Sequence, residues 1–290
     1  MTDRWIVGLD GSDASTEALR WAATHARGRD TKISALGAFH VPGALALMTA
    51  KRGFGVDDLG LAATAGNAVD EAIAAVRDGG GGAADELTIE PTIVEGQPAH
   101  ELVDAASTAD LLVVGRRGGG ELRQHALGSV SRYCATHSAT PVVVVPADWV
   151  ERETPLIVVG FDGSDDSSAA LAWAIDFAPV GTTVRAVAAI EQSPWLAPEL
   201  TLARLPEEVW EQEQRIEAAI SALDPDHRVE RDIALRSPRQ ALARASSTAD
   251  LVVVGTRGHG RIAAGILGSV STWLLHGAEC PVVVVPEPQR

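Results

Sequence analysis

The stretch Leu111-Leu-Val-Val-Gly115-Arg-Arg-Gly118, with Gly128-Ser129 after nine further residues, decides the fold of this chain. Its apolar part, Leu111–Val114, predicts a strand covered on both faces, and a helix-like segment begins at Ser129. A glycine-rich loop between a strand and a helix can wrap phosphates with backbone N–H groups. One short glycine pattern fits ordinary turns equally well, so a single copy predicts a phosphate site only weakly.

The pattern occurs twice. Leu251-Val-Val-Val-Gly255-Thr-Arg-Gly258 precedes Gly268-Ser269 with the same spacing of nine residues. The segments Asp10-Gly-Ser-Asp13 and Asp162-Gly-Ser-Asp165 also match and lie 152 residues apart, whereas the glycine loops lie 140 residues apart. A repeat of this length indicates a duplicated domain rather than a solenoid. We therefore predict tandem domains at residues 1–147 and 154–287.

Within each unit, strand-like and helix-like segments alternate. In the first unit we predict strands at 4–9, 32–39, 87–94, 111–114 and 142–145, and helices at 14–26, 61–77, 98–107 and 129–137. The second unit follows the same plan, with its second helix near 204–223. This alternation is typical of the α/β class with a doubly wound parallel sheet. Ligands of such sheets bind where the strand order reverses, so we expect a pocket at the carboxyl ends of the first and fourth strands.

The duplicated glycines and serines allow two interpretations. Gly115 and Gly255 either need a positive φ or let a ligand pass where a Cβ would clash. Gly128 and Gly268 begin a helix whose bare N–H groups can meet an anion, and the serines that follow can add hydroxyl donors. The structural interpretation makes every glycine a turn residue and each serine a cap. Duplication in an identical context favours phosphate binding.

Asp10 and Asp162 also have two interpretations. They could accept from ribose hydroxyls or hold a phosphate-bound divalent ion through water, or they could form an Asx-turn that starts the next helix. We expect the binding role, because Asp13 and Asp165 can supply the helix caps, with Ser12 as the other candidate for the cap of the first helix. Three arginines could offset phosphate charge, or could simply be solvated: Arg116, Arg117 and Arg257.

Bulk properties exclude several classes of protein. The chain has 46% hydrophobic and 22% charged residues, which is typical of a globular protein rather than a disordered one. Its net charge of -15 argues against general nucleic-acid binding. Two cysteines at different positions of the repeat predict neither a disulfide framework nor a metal site. We find neither a secretory signal pattern nor an apolar run that could span a bilayer, and expect a cytoplasmic protein.

Common catalytic motifs are missing from the sequence. It has no G-x-x-x-x-G-K-[ST] loop, no nucleophile elbow and no G-x-G-x-x-G after the first strand. No acid–base pair recurs in both units, so we assign no catalytic residue and expect at most slow hydrolysis of a bound phosphate ligand.

The duplicated motifs together resemble the universal stress protein family in its tandem two-domain form. The resemblance rests on the strand followed by Asp-Gly-Ser, the Ala-Asp-Leu-(Leu/Val)-Val-Val-Gly strand, the G-x2-G-x9-G-S loop and the final Pro-Val-Val-Val-Val-Pro segment, each present twice. It implies a five-stranded parallel sheet of the adenine nucleotide alpha-hydrolase-like fold in each domain. It also implies one ATP site per domain, possible Mg²⁺ bound through the phosphates, and a nucleotide-dependent role in stress response or growth.

The resemblance also implies which residues bind the nucleotide. Asp10 and Asp162 would contact the ribose or metal region, the loop glycines and serines would hold ribose and phosphates, and Val41 would contact adenine through its backbone, with Gln192 as a rough counterpart. The complete set of cofactor-binding residues that we predict is Asp10, Gly11, Val41, Gly115, Gly118, Gly128, Ser129, Val130, Asp162, Gly163, Gly255, Arg257, Gly258, Gly268, Ser269 and Val270.

Differences between the units predict unequal sites. Gly96 of the first unit corresponds to Arg236, and Glu121 corresponds to Arg261. On this basis the second site is more cationic, and we expect it to bind a triphosphate at least as tightly as the first. The apolar segments Val142–Val145 and Val282–Val285 could each be buried wholly inside their own sheet. They are flanked by prolines, which favour sheet edges, so we expect them to pair with each other. A homodimer would also be compatible with the sequence.

Three other functions stay open at this point. An adenylating enzyme of the ATP-pyrophosphatase class would have a similar fold, but that class carries Ser-Gly-Gly-x-Asp-Ser where this chain has Asp10-Gly-Ser-Asp-Ala-Ser15. The chain could instead be a scaffold in which the nucleotide is structural. A cyclic nucleotide such as cAMP could replace ATP as the ligand.

Overall fold

The computed structural model describes residues 2–41, 60–79, 87–117, 127–152, 155–190, 198–222, 228–258 and 266–287. Its contacts divide the chain into two compact units, Met1–Asp148 and Trp149–Arg290. In chain order, the strands and helices of the first unit are β1 (Asp3–Leu9), α1 (Asp13–Ala26), β2 (Thr31–Phe39), α2 (Leu61–Gly79), β3 (Thr88–Glu95), α3 (Pro98–Ala106), β4 (Leu111–Gly115), α4 (Ser129–His137) and β5 (Val142–Val145).

The second unit repeats this succession. Its elements are β6 (Leu156–Gly160), α5 (Asp165–Phe177), β7 (Thr183–Ala189), α6 (Pro198–Ser221), β8 (Arg228–Ala234), α7 (Pro238–Ser246), β9 (Leu251–Gly255), α8 (Ser269–Gly277) and β10 (Val282–Val285). The predicted elements agree with these bounds to within one or two residues, except that α6 begins at Pro198 rather than near residue 204. The α/β class and the alternating order are confirmed.

Each unit contains a parallel sheet with one reversal of strand order. The order is β3-β2-β1-β4-β5 in the first unit and β8-β7-β6-β9-β10 in the second. β1 pairs with β4 from Trp5 opposite Leu111 to Gly8 opposite Val114, and β6 pairs with β9 in the same way. The predicted adjacency of first and fourth strands is therefore confirmed, and the carboxyl ends of these two strands form the switch point of each sheet.

The fourth strands lie in the middle of each core, as their apolar sequences predict. Leu112 and Val113 of β4, and Val252 and Val253 of β9, are fully buried. Such strands have no solvated face, so their sequence does not alternate between polar and apolar residues. Their ends are thereby fixed relative to the neighbouring strands, which gives the loops that follow a rigid base.

Candidate functional site

The Asp-Gly-Ser segment after each first strand forms a tight local turn. The Asp10 carboxylate Oδ1 accepts from the Ser12 N–H at 3.1 Å and the Ser12 hydroxyl at 2.5 Å, and Asp162 accepts equivalently from Ser164 at 3.0 and 2.6 Å. Between them, Gly11 and Gly163 have φ of 79° and 84°, in the region that favours glycine. The Asx-turn interpretation is thus present in both units, and it leaves each aspartate at the edge of a cavity described below.

The helix caps belong to serines rather than to the following aspartates. Ser12 is extended, with φ -84° and ψ 156°, and its hydroxyl accepts from the Ser15 N–H at 3.2 Å; Ser164 caps α5 through the Ser167 N–H at 3.2 Å. The expectation that Asp13 and Asp165 supply the caps is wrong, and Ser12, the other candidate for the cap of the first helix, is confirmed. They are the first helical residues, where a carboxylate is favoured by the helix dipole.

Gly115 and Gly255 are required by packing within the protein. A Cβ on Gly115 would lie 2.6 Å from the backbone C and O of Ala14, and one on Gly255 would lie 2.6 Å from the Asp166 Cβ. Neither glycine is among those with positive φ in the described residues. The positive-φ alternative is therefore wrong, and the structure adds a reason that the sequence did not suggest: the first turn of α1 or α5 passes directly over the end of the strand.

Gly128 and Gly268 begin the last helix of each unit without a side-chain cap. The N–H of Gly128 donates to the carbonyl of Arg116 at 2.8 Å, and that of Gly268 donates to the carbonyl of Thr256 at 2.7 Å. These bonds join the last residue of each loop to the residue that follows the fourth strand. The backbone N–H groups that can donate to an anion are therefore those of the following residues, in the first turn of each helix. These residues include Ser129 and Val130 in the first unit and Ser269 and Val270 in the second.

Two serines that sequence reasoning missed hold this helix start in place. The Ser131 hydroxyl donates to the carbonyl of Gly115 at 2.6 Å and lies 3.2 Å from that of Arg116, and the Ser271 hydroxyl donates to Gly255 at 2.8 Å. They join the end of the fourth strand to the last helix. Their duplication within Gly-Ser-Val-Ser was the available signal, but a hydroxyl that bonds the protein cannot be told from one that bonds a ligand without coordinates.

In each unit these segments surround a cavity at the switch point. The first has a volume of about 270 Å³ and includes Asp10, Gly115, Arg117, Gly128, Ser129 and Val130 in its lining. The second also has a volume of about 270 Å³, and its lining contains Asp162, Gly255, Arg257, Gly258, Gly268, Ser269 and Val270. The fold thus brings together predicted residues that lie more than a hundred positions apart in sequence.

An apolar wall completes each cavity, and the sequence analysis did not predict it. Leu36, Ala38, Pro98 and Leu102 line the first cavity, and Val187, Ala189, Pro238 and Leu242 line the second. The first strand passes close to this wall, because a Cβ on Gly8 or Gly160 would lie 2.9 Å from a methyl group of Leu102 or Leu242. A polar rim beside an apolar wall suits a ligand with an anionic part and a flat apolar part.

Several predicted residues lie elsewhere. Val41, two residues after the end of β2, is 8% exposed and does not line the first cavity. Gly11 and Gly163 do not line the cavities either. Arg116 is buried and does not line the cavity, whereas Arg117 does. Arg236 is exposed and lies outside the lining of the second cavity. The remaining positions named from the sequence fall outside the described residues: Gly118, Glu121, Gln192 and Arg261.

Comparison with known proteins gives the family of this chain. The family model described as the universal stress protein family matches residues 1–146 and 155–286. The chain belongs to the universal stress protein family. A universal stress protein of Mycobacterium tuberculosis strain H37Rv is 33% identical over 294 residues, which cover 96% of this chain and 95% of the relative. One from Mycolicibacterium smegmatis is 30% identical over 293 residues, covering 97% and 96% of the two chains.

One solved structure of a universal stress protein shares this fold over nearly the whole chain. A universal stress protein from Archaeoglobus fulgidus aligns over 99% of this chain and 100% of its own, with a TM-score of 0.62 and 18% identity. A universal stress protein in complex with cAMP aligns over 49% of this chain and 96% of its own, with a TM-score of 0.35 and 27% identity. The expected family and the tandem α/β fold are confirmed. Among the described residues, none of the helices combines the length and apolarity that crossing a bilayer requires.

Proposed function

We propose that each domain of this universal stress protein binds one adenine nucleotide, with ATP as the expected ligand, and that occupancy regulates a stress or growth response. One observation carries the proposal. In both units a cavity lies at the switch point of the sheet and is lined by an aspartate, an arginine, glycines from the described ends of the loop and the uncapped start of a helix. Duplication of this whole arrangement supports binding at both places.

The cavity chemistry supports a nucleotide in a definite orientation. Phosphates would lie at the start of α4 or α8, where first-turn amides and the helix dipole favour anions. Ribose hydroxyls would face Asp10 or Asp162, and a divalent ion such as Mg²⁺ could reach these carboxylates through water. The base would lie against Leu36 and Ala38, or against Val187 and Ala189, which line the opposite side.

The same lining supports binding rather than rapid catalysis. Among the described lining residues, the groups that could act as a general base are the carboxylates of Asp10 and Asp162, and the Oδ1 of each already accepts two hydrogen bonds from a serine. We propose at most slow hydrolysis of bound ATP, which leaves the bound state long-lived enough to act as a signal. A cytoplasmic location belongs to the same proposal and would be tested by cell fractionation.

Mass spectrometry of ligands released from the freshly purified protein, followed by calorimetry with ATP, tests the proposal. We expect adenine nucleotide to be released, and a ligand-dependent rise in melting temperature. At a ligand concentration of about one hundred times Kd the added stability is about 2.7 kcal/mol for one site. A purified chain that releases no nucleotide and binds no ATP at millimolar concentration would overturn the proposal.

Matched cavity-filling variants assign binding to each domain. Ala38 and Ala189 occupy equivalent positions near the ends of β2 and β7, are half-buried and line the two cavities. We expect Ala38→Trp to abolish binding in the first domain only and Ala189→Trp in the second only. In the absence of ligand, both variants should have melting temperatures similar to that of the parent chain, because the indole would occupy open cavity space.

A further inference from the structure

A buried carboxylate lies at the base of the second glycine loop. Asp166, the second residue of α5, is 7% exposed. Its Oδ2 accepts from the Thr256 hydroxyl at 2.9 Å and from the Arg257 N–H at 3.0 Å. These two residues directly follow Gly255, the last residue of β9. Asp166 therefore ties the start of the loop to the helix that passes over the end of the strand.

Packing of the helix against the strand does not explain this carboxylate. The equivalent residue of α1 is Ala14, and its backbone lies 2.6 Å from the position that a Cβ on Gly115 would take. The Asp166 Cβ lies equally close to the corresponding position on Gly255. An alanine thus suffices for the close approach of helix and strand. Burying a carboxylate costs free energy unless it is hydrogen-bonded, so the donors that Asp166 binds account for it.

One of these donors belongs to the arginine of the second cavity. Arg257 lines this cavity, and its side chain is 24% exposed. Its Nε lies 3.9 Å from the same oxygen of Asp166, and its Nη2 forms an ion pair with Glu287. The arginine is thus held both at its backbone and along its side chain. Neither side-chain contact involves Nη1, and a guanidinium can bind a phosphate oxygen through that nitrogen while two carboxylates hold its other donors.

We propose that Asp166 is the positioning residue of the second-domain nucleotide site. It fixes the start of the glycine loop through Thr256 and Arg257, so that the guanidinium already lies in the cavity when the phosphates of a nucleotide arrive. Asp166 does not line the cavity and therefore acts through these two residues rather than on the ligand. Groups that are ordered before binding lose less conformational freedom on binding, which raises affinity. The inference rests on the proposed function, because it needs a nucleotide in this cavity.

Affinities for ATP and for adenosine test this role in the Ala38→Trp background, where we expect only the second site to bind. Arg257 would contact phosphates, which adenosine lacks. We expect Asp166→Ala to weaken ATP binding by about tenfold, as for the loss of hydrogen bonds to a charged group, and to change adenosine binding by less than about twofold. Competition with ATP measures the adenosine affinity. A loosened domain would weaken both ligands alike, so equal losses would overturn the inference.

Two further variants separate positioning from charge. Asp166→Asn keeps an oxygen that can accept from Thr256 and Arg257, so it should retain most of the ATP affinity that Asp166→Ala loses. If the carboxylate acted only by its negative charge, both variants would strengthen ATP binding, and that result would contradict positioning. Thr256→Val removes one donor at nearly the same volume and should cause part of the same loss. It keeps the test decisive if Asp166→Ala does not fold, because an unchanged ATP affinity would count against the role.

Asp165→Ala is the matched control. It removes an exposed carboxylate from the same helix turn, outside the cavity lining, and should leave the ratio of the two affinities unchanged. A change as large as that of Asp166→Ala would assign the effect to the helix turn and overturn the role of Asp166.

A double-mutant cycle tests the route through the arginine side chain. If Asp166 acts through the guanidinium, Asp166→Ala should cause no further loss of ATP affinity when it is added to Arg257→Gln. Additive losses from the two substitutions would overturn this route.

The outcomes also separate this inference from the proposed function. If the unsubstituted chain binds no nucleotide, the proposed function fails and the positioning role fails with it. If Ala38→Trp binds ATP and the added Asp166→Ala leaves that affinity unchanged, the proposed function stands and the positioning role alone is wrong.

Discussion

At the scale of single residues, the recurrent glycines after the first and fourth strands have different physical roles. Gly11 and Gly163 are needed for their positive φ, with values of 79° and 84°. Gly115 and Gly255 are needed because the first turn of a helix passes 2.6 Å from where a Cβ would lie. A sequence shows only that glycine is present, so it predicts a constraint without telling which constraint applies.

Replacing Gly115 with alanine should therefore destabilise the first domain directly. The added Cβ would lie 2.6 Å from the Ala14 backbone, and relief of such a clash costs about 1–3 kcal/mol. Denaturant unfolding of the variant measures the loss.

Gly66→Ala is the control, because Gly66 lies within α2 with nothing near its Cβ position. It should stabilise the protein by about 0.5–1 kcal/mol. Equal effects of the two substitutions would contradict the packing role of Gly115.

At the scale of elements, the two first helices differ in one stacked pair. In α1, His25 stacks on Trp21 with ring centroids 4.2 Å apart, and in α5 the equivalent pair is Trp173 and Phe177 at 4.6 Å. The His25 Nδ1–H donates to the Trp21 carbonyl at 2.9 Å. Burial lowers the pKa of His25 from 6.5 to about 4; the hydrogen bond with Trp21 opposes this shift, and Arg29 adds to it. The histidine is thus neutral in the folded helix at neutral pH.

This pair predicts acid sensitivity of the first domain. Between pH 6.5 and about 4, His25 is protonated in the unfolded chain but stays neutral in the folded chain. The free energy of unfolding should therefore fall as the pH drops through this window, by at most about 3 kcal/mol. His25→Phe, which reproduces the second domain, should remove this part of the pH dependence.

Unfolding curves measured at pH 7 and pH 4.5 check the expectation. The reciprocal variant Phe177→His should introduce a similar loss in the second domain. If the parent chain and His25→Phe lose stability in parallel over this range, His25 is not the responsible group.

At the scale of the whole molecule, the pairing of the two domains stays a prediction. Val142–Val145 and Val282–Val285 are the last strands of their own sheets, next to β4 and β9. An apolar strand with an unpaired edge is a risk for aggregation. The sequence-based expectation that these two strands pair with each other would remove that risk in both domains at once.

Amide hydrogen exchange on the full chain tests this pairing. A strand bonded on one side only protects alternate amides, whereas a strand between two neighbours protects all of them. We expect consecutive slow amides in both strands. Fast exchange at every second residue of Val142–Val145 and Val282–Val285 would show two open edges instead.

The sequence predicted the fold closely because this fold has strong local signals. Buried strands such as Leu111–Gly115 are apolar at every position, the helices have clear starts, and duplication shows which motif residues recur. The charged part of the site was harder to predict. Asp166 looked like an ordinary first-turn acid, and its contacts with Thr256 and Arg257 join residues 90 and 91 positions away.

By itself the sequence determined that this chain has two copies of one α/β unit, where their strands and helices lie, and which glycine loops and aspartates recur. These properties follow from periodicity and repetition, which are local or internal to the chain. Only the tertiary structure decided that each recurrent set lines one cavity, that an apolar wall faces it, and that Asp166 and Glu287 balance Arg257. Contacts between distant segments depend on strand order and helix packing, and the sequence of a segment does not specify which side chain will lie against it.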